Sequence, residues 1–156
     1  MPMPTDEDLH AALLVLLAPI TRNLHQRLGK TTETKVVNAE GIDLHDGHVF
    51  AVAHGPDGTA LPYMVLWPTA TTGQHTRLAG GRSMGRWGFQ LTVAAGSPAG
   101  VRWALGRLAP VTARARLVPG HTGLLTPYFD QVQIAPDEDV DPIRWSAALR
   151  YETTVH

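Results

Sequence analysis

The sequence predicts an α+β domain, with two α-helices packed on one face of an antiparallel or mixed β-sheet. Leucines near the start recur at spacings of three and four residues, which is the pattern of one apolar helix face. Apolar and polar residues alternate from Trp87 to Ala95 and from Trp145 to Thr153, which is typical of half-buried strands. No strand–helix–strand rhythm repeats along the chain, so we expect hairpins rather than a doubly wound parallel sheet.

The composition fits a single globular domain, which we predict to span residues 1–156. The chain has 44% hydrophobic and 17% charged residues, which are ordinary values for a folded protein. It contains no cysteine, which excludes disulfides, thiolate metal sites and a cysteine nucleophile. The longest apolar run, residues 11–18, is too short to cross a bilayer and follows acidic residues. We therefore expect neither a membrane span nor a signal peptide.

The first helix is predicted over Thr5 to Leu28. Thr5 is a favourable N-cap, and the three acids that follow it suit the positive end of the helix dipole. Pro19 costs about 3 kcal/mol inside a helix, whereas each fully buried leucine contributes roughly 1.5–3 kcal/mol. Since the apolar phase continues past Pro19, we expect one kinked helix closed by Gly29.

Strands and one long loop are predicted before the second helix. In chain order these are a short strand at Thr34–Asn38, a hairpin of Val49–Ala53 with Tyr63–Trp67, a loop at Pro68–Arg86 and a strand at Trp87–Ala95. The loop between the central strands has no helical or strand period. Loops of this length are uncommon and usually functional or disordered, so we expect this one to be the most mobile internal segment of a free subunit.

The second helix has a clear start. Ser97 is placed as the N-cap and Pro98 as the first helical residue, and Pro110 is expected to end the helix. Trp103 lies off the main apolar stripe, either at the edge of the core or as an exposed anchor. The remaining expectations are a short strand ending at Leu117-Val118, a turn at Pro119-Gly120, a strand at Tyr128–Ile134, an acidic loop at Pro136–Pro142 and a terminal strand at Trp145–Thr153.

Charge is divided into three blocks along the chain. Residues 1–57 carry a net charge of −4, residues 58–129 carry seven arginines and no acid, and residues 130–156 carry −4. Such blocks suit a nucleic-acid surface, neutralisation within one fold, or contacts between unlike faces of neighbouring copies. The candidate interface residues are Arg77, Arg82, Arg86, Trp103, Arg107, Asp137, Glu138, Asp139 and Asp141.

No residue pattern meets the requirements of a catalytic site. Asp43, His45, Asp46 and His48 form the best metal-like cluster, but ligands need fixed geometry and such a loop is more often a solvated turn. Ser83 lies in a G-x-S-x-G string, yet a strand rather than a helix is expected after it. We therefore expect no enzyme activity, no metal and no cofactor.

Several segments together resemble the tail terminator proteins of long-tailed phages, particularly those that infect actinobacteria. The resembling features are an N-terminal helix, a Pro-Tyr-Met-Val-Leu-Trp-Pro strand, a Gly-rich loop, Gln-Leu-Thr-Val leading into a Ser-Pro helix with an internal Trp, and a last strand ending in Arg-Tyr-x-Thr. They extend from about Leu9 to Val155 and cover most of the chain.

This resemblance implies a structural virion protein. Such proteins form a ring, usually of six copies, at the head-proximal end of the tail tube, where the ring stops tube polymerisation and joins tail to head. The implied partners are further copies of the chain, the tail tube protein, a head-completion or connector protein, and DNA that passes through the lumen without sequence-specific binding. The implied location is the virion tail, after assembly in the host cytoplasm.

Other functions stay open at this point. Another head-to-tail connector or head-completion protein would share the same general plan. A small metal-binding protein would use the region of His45 and His48, and a DNA-binding protein would use the arginine segment. The metal content of the purified protein would identify a metal-binding protein. Salt-dependent binding to DNA would identify a DNA-binding protein.

Overall fold

A mixed β-sheet with two helices forms the part of the chain that the computed structural model describes, which is residues 3–22, 35–38, 40–44, 47–49, 51–67, 76–77, 83–128 and 132–156. The elements in chain order are α1 Asp6–Arg22, β1 Lys35–Val37, β2 Tyr63–Trp67, β3 Thr76–Arg77, β4 Ser83–Ala95, α2 Pro98–Thr112, β5 Thr126–Pro127, β6 Ala135–Asp137 and β7 Arg144–Val155. The strand order is β1-β2-β4-β7-β5, with β6 also on β7 and β3 on the start of β4. Only β1 and β2 pair in parallel among these strands, so the predicted α+β class is confirmed.

The β4–β7 ladder is the centre of the sheet. Its register runs from Gly85 opposite Val155 to Ala95 opposite Trp145. The core-facing positions of these strands alternate with more exposed ones, which is the predicted period of two. Phe89 stacks on Tyr151 across the ladder with ring centroids 5.1 Å apart. The two strands with the clearest alternation are therefore confirmed, and both are longer than predicted.

Both helices cover the same face of the sheet. Leu9, Leu13 and Leu17 of α1 lie in one buried cluster with Leu108 of α2 and Leu91 of β4. On α2, Thr112 Oγ1 lies 3.4 Å from the hydroxyl of Tyr151, whose pKa is raised by burial. The prediction of two helices on one face is confirmed. No helix within the described residues is long and apolar enough to cross a membrane.

Helix α1 begins at the predicted cap. The backbone N–H of Asp8 donates to Thr5 Oγ1 at 3.2 Å, and the backbone N–H of Thr5 donates to Asp8 Oδ2 at 2.8 Å. These reciprocal bonds satisfy donors that a helix start leaves open. The backbone N–H and the hydroxyl of Thr5 both donate to the Asp8 carboxylate and lower its pKa. Pro19 lies inside α1, which continues to Arg22. The predicted end at Leu28 and Gly29 falls outside the described residues.

Helix α2 also begins as predicted but ends later. The Gly100 N–H donates to Ser97 Oγ at 3.1 Å, and Pro98 is the first helical residue. Pro110 was expected to end the helix and does not, because α2 continues to Thr112. Pro110 is exposed in the last turn, where water can satisfy the carbonyl that lacks a donor.

The predicted strand at Val49–Ala53 and its hairpin with Tyr63–Trp67 are wrong. Val49 is 81% exposed and forms only an isolated bridge, while residues 51–53 are not in a strand. Val52 instead packs on Val37, Tyr63 and Ala94, on the sheet face opposite the helices. Val52 therefore covers the sheet instead of adding a strand to it. The strand partners of β2 are β1 and β4.

The predicted loop at Pro68–Arg86 is partly wrong. Thr76–Arg77 form β3, which pairs with Ser83 and Met84, and β4 already begins at Ser83. The ladder with β7 extends the strand into a glycine-containing segment that has little local strand signal. Residues 68–75 and 78–82 lie outside the described part of the chain.

The region between α2 and β7 contains the weakest predictions. Leu117-Val118 is a bend rather than a strand, although the turn at Pro119-Gly120 is confirmed and Gly120 has a φ of 84°. The predicted strand at Tyr128–Ile134 is wrong for its described residues, because β5 precedes it and β6 follows it. Strand β6 also occupies the start of the predicted acidic loop. Both short strands pair with β7, which is the cross-strand partner that local sequence does not reveal.

Candidate interaction surfaces

The sheet face opposite the helices carries polar and apolar side chains that reach solvent. We call it the open sheet face and define it by Trp67, Arg86, Gln90, Thr92, Ala148, Arg150 and Glu152. Trp67 is 41% exposed, and its Nε1 donates to Thr92 Oγ1 at 2.8 Å. Arg150 Nε donates to Gln90 Oε1 at 3.1 Å. These bonds fix the side chains across strands and make the face an ordered surface.

One end of the β4–β7 ladder, which we call the basic end after Arg86, holds Arg86 beside Glu152. Arg86 Nη1 lies 3.9 Å from Glu152 Oε1, with the two side chains 68% and 37% exposed. A pair this exposed contributes about 0–1 kcal/mol, so it leaves Arg86 available to a partner. The pairing of β3 with β4 brings the backbone of Arg77 to the same end. A shallow pocket of about 320 Å³ beside Arg86 is lined in part by Leu124 and Thr126.

The other end of the same ladder is acidic. Asp137 ends β6 opposite Arg144, and Glu138, Asp139 and Asp141 follow it as exposed residues. This acidic end lies next to the Ala95–Trp145 pair, whereas Arg86 lies opposite Thr154. The nine residue steps from Arg86 to Ala95 span about 30 Å at roughly 3.3 Å per residue. Arg86 and the acids of 137–141 therefore lie at opposite ends of one ladder.

The predicted interface residues on α2 lie on neither end of this ladder. Trp103 is partly buried against the core, and the Arg107 guanidinium lies 5.8 Å from the centre of its ring. Trp103 is therefore a residue at the edge of the core. Because α2 covers the helical face, these residues and Arg86 are on opposite sides of the sheet. The side chains of Arg77 and Arg82 are outside the described part of the structure.

Helix α1 presents a further surface that the sequence analysis missed. We call it the α1 outer face and define it by Glu7, Ala11, Val15, Ala18 and Pro19, of which Val15 is 74% exposed. It adjoins a groove of about 370 Å³ between α1 and the sheet, lined in part by Leu14 and Phe89. The missed signal was the absence of any polar residue from Ala11 to Ile20, which leaves apolar residues such as Val15 off the predicted leucine face.

The metal-like cluster is a tight turn in its described residues. Asp43 is buried, its N–H donates to the carbonyl of His48 at 2.9 Å, and its carbonyl accepts from Gly47 at 2.8 Å. His45 and Asp46 are outside the described residues. Within the ranges given above, no group of three or more His, Asp or Glu side chains is placed to hold a metal ion. Ser83 begins β4 opposite Arg77, so no helix follows it.

A comparison with models of known protein families gives no match, and a comparison with curated proteins gives no significant match. Function must therefore be inferred from the described surfaces. These are the open sheet face, the charged ends of the β4–β7 ladder and the α1 outer face.

Proposed function

We propose that the chain is a structural subunit of a phage tail. It forms a ring, usually of six copies in the family it resembles, which ends the tail tube and joins tail to head. The observation that carries this proposal is the separation of charge along the β4–β7 ladder, with Arg86 at one end and the acids of 137–141 at the other. Unlike ends favour a head-to-tail contact between copies, and a repeated contact of this kind closes a ring when the rotation allows it.

The contact between copies would combine charge with apolar packing. Exposed ion pairs contribute only about 0–1 kcal/mol each, so charge sets the register of the contact more than its affinity. Leu124, which is 44% exposed beside the basic end, provides apolar area for the same contact. Because the screening length falls to about 3 Å at 1 M salt, a ring that depends on these charges should loosen there.

The segments that carry the family resemblance also support the proposal. The Tyr63–Trp67 strand pairs with residues 90–94, which include the Gln-Leu-Thr-Val segment. Arg150 and Tyr151 of the last strand pair with Gln90 and Phe89. These three strand segments are therefore neighbours in the sheet.

A ring between tube and head needs surfaces for more than one neighbour. The described residues offer exposed hydrophobic side chains away from the ladder ends, among them Trp67 and Tyr128. The open sheet face is our candidate for contact with the tail tube protein, the head-completion protein, or the DNA that passes through the lumen. Aromatic and arginine side chains are the types enriched at such interfaces.

The proposal is tested by assembly on tail tubes. The purified chain is mixed with self-assembled tubes of the tail tube protein from the same genome, and rings at tube ends are sought by electron microscopy. Arg86→Glu should weaken ring formation, because it places a carboxylate beside Glu152 at the basic end. Arg114→Glu changes the same charge at an exposed site beyond α2 and is the matched control.

Sedimentation at low and high salt measures the mass of both variants, and unfolding is followed alongside. A wild-type chain that stays monomeric and also fails to bind tubes would contradict the proposal. Equal weakening by Arg86→Glu and Arg114→Glu would contradict the role of the ladder ends while leaving the tail role standing.

A further inference from the structure

Helix α1 is apolar on every side over most of its length. Residues 11–20 contain no polar side chain, yet only one side of the helix, with Leu9, Leu13 and Leu17, is fully buried. Val15, on the opposite side, is 74% exposed. A helix that is apolar all round is normally buried all round, whereas a surface helix carries polar residues on its outer side. The α1 outer face therefore has the composition of a covered surface.

The charges at the start of α1 indicate what covers it. Glu7 is exposed at one end of the α1 outer face, and Asp6 and Asp8 are exposed beside it. Helix α2 has the opposite charge, since its only charged residues are Arg102 and Arg107, both exposed. The other exposed residues of α2 are Gly106, Ala109 and Pro110, while Trp103 and Leu105 are half-buried.

We call Arg102, Gly106, Ala109 and Pro110 the α2 outer face. A Cβ added at Gly106 would meet nothing within 4 Å, so this part of the surface is open. Small residues let a second helix approach closely, because interaxial distances of about 8–10 Å depend on the side chains at the contact. The two outer faces thus carry opposite charges near the starts of their helices, and Gly106 leaves room on α2 for a side chain such as Val15.

We propose that a second copy of this chain covers the α1 outer face with its α2 outer face. Val15 of α1 and Gly106 of α2 are both exposed, and their two helices cover the same face of the sheet. One two-fold axis therefore allows each α1 to contact the other copy's α2 at the same time, as in an isologous dimer. This pair does not require the proposed ring, which uses the ladder ends on other parts of the surface.

The size of the contact sets its strength. Helices of 17 and 15 residues are about 25 and 22 Å long at roughly 1.5 Å per residue and about 10 Å wide. Together they present about 450–500 Å² per copy, which is near the low end of specific interfaces. We therefore expect a weak, concentration-dependent pair rather than an obligate dimer.

Single cysteines test the pairing directly, because the chain has none of its own. Val15→Cys and Gly106→Cys are made in separate chains, mixed and oxidised. A mixed disulfide is expected, since only a contact between copies can bring these positions within the 4.4–6.8 Å Cα separation that a disulfide needs. Ala148→Cys, exposed on the open sheet face, replaces Val15→Cys in the control mixture and should yield at least tenfold less cross-link.

Three results would overturn the inference. Cross-linking of Val15→Cys to itself as fast as to Gly106→Cys would show that α1 packs on α1. A Val15→Cys thiol that neither cross-links nor reacts with a thiol reagent would show that the same copy covers the face. A reactive thiol without cross-linking, at concentrations up to the millimolar range, would show that no second copy binds there.

A charge variant separates this contact from the ring. Val15→Glu should shift pair formation to at least tenfold higher concentration while leaving the fold intact, because Val15 is exposed. Ala148→Glu adds the same charge on the other side of the sheet and should leave pairing unchanged. Ring formation on tail tubes is scored in the same variants, so loss of the pair and loss of the ring are recorded independently.

Discussion

Trp67 and Thr92 are joined across β2 and β4 by a hydrogen bond of 2.8 Å from the indole Nε1 to the threonine Oγ1. The bond holds the largest apolar side chain of the open sheet face against the middle of the sheet. Trp67 is also the last residue of β2, so the bond fixes the point at which the chain leaves the sheet.

We expect Thr92→Val to lower the free energy of unfolding by about 0.5–1 kcal/mol, the low end of the range for a hydrogen bond. The loss is small because the exposed indole can bond water instead. Chemical denaturation measures the loss. Thr126→Val, at an exposed site on β5, should change stability by less than about 0.5 kcal/mol. A loss above about 2 kcal/mol at Thr92 would mean that the hydroxyl has a further role.

Gly88 and Gly106 should respond to alanine with opposite signs. A Cβ at Gly88 would lie 2.8 Å from the carbonyl oxygen of Tyr151, a backbone atom that cannot move aside alone. Gly88→Ala should therefore cost about 1–3 kcal/mol, as overpacking does. Gly106 lies inside α2 with open space around it, so Gly106→Ala should gain about 0.5–1 kcal/mol. Thermal unfolding of both variants measures these changes, and a Gly88→Ala variant as stable as wild type would refute the close approach at Gly88.

Leu13 and Val15 are close in sequence on α1 but face opposite environments. Leu13→Ala should cost about 2–5 kcal/mol, since Leu13 is fully buried in the core. Val15→Ala should change the stability of the monomer by less than about 0.5 kcal/mol, because Val15 is exposed and alanine favours the helix. Both are measured at low protein concentration, where copies are separate. Similar losses at the two positions would contradict the orientation of α1.

Removing the cap of α1 should destabilise the helix start. Thr5→Ala deletes the hydroxyl that accepts from the Asp8 N–H and should cost about 1 kcal/mol. Ala substitution at the exposed Thr126 is the control for loss of a threonine hydroxyl. Unchanged stability of Thr5→Ala would show that Asp8 alone maintains the cap.

Asp8 should make part of the stability depend on pH. Hydrogen bonds from Thr5 lower its folded pKa below the ordinary value, so its contribution is present above the unfolded pKa and is lost as the pH falls through the folded pKa. The stability gap between wild type and Asp8→Asn should therefore be largest near neutral pH and close in acid. Glu7→Gln, which removes one charge from the same turn, is the control. A gap that stays constant with pH would contradict the role of the ionised Asp8.

The parts of the fold that the sequence predicts well are those with strong local signals. The Ser97-Pro98 start of α2 is fixed by its own cap bond, and the alternation in β4 and β7 follows from one face of each strand being buried. Strands β5 and β6 have two and three residues, all exposed, so they carry no alternation to detect. β5 and β6 form because their backbones pair with β7, which is a tertiary contact that the local sequence does not encode.

The candidate surfaces divide in the same way. The polar residues at alternate positions of β4 and β7 already indicate a solvent-facing side of the sheet. The separation of Arg86 from Asp137 depends on the register that places Gly85 opposite Val155, which no local pattern encodes. The leucine spacing in α1 identifies its buried face, but it does not show what lies against Val15 on the other side.

The pairing of β4 with β7 also has a consequence for synthesis on the ribosome. Gly85 pairs with Val155, which is synthesised seventy residues later. The edge of β4 that pairs with β7 therefore has no partner during this interval. During this interval an alternating apolar strand is open to pairing with other nascent chains. Contacts this distant in sequence also form slowly. Slow translation before β7, or early release of the chain, therefore favours inclusion bodies over soluble subunits, and a holdase chaperone bound to β4 would counteract this.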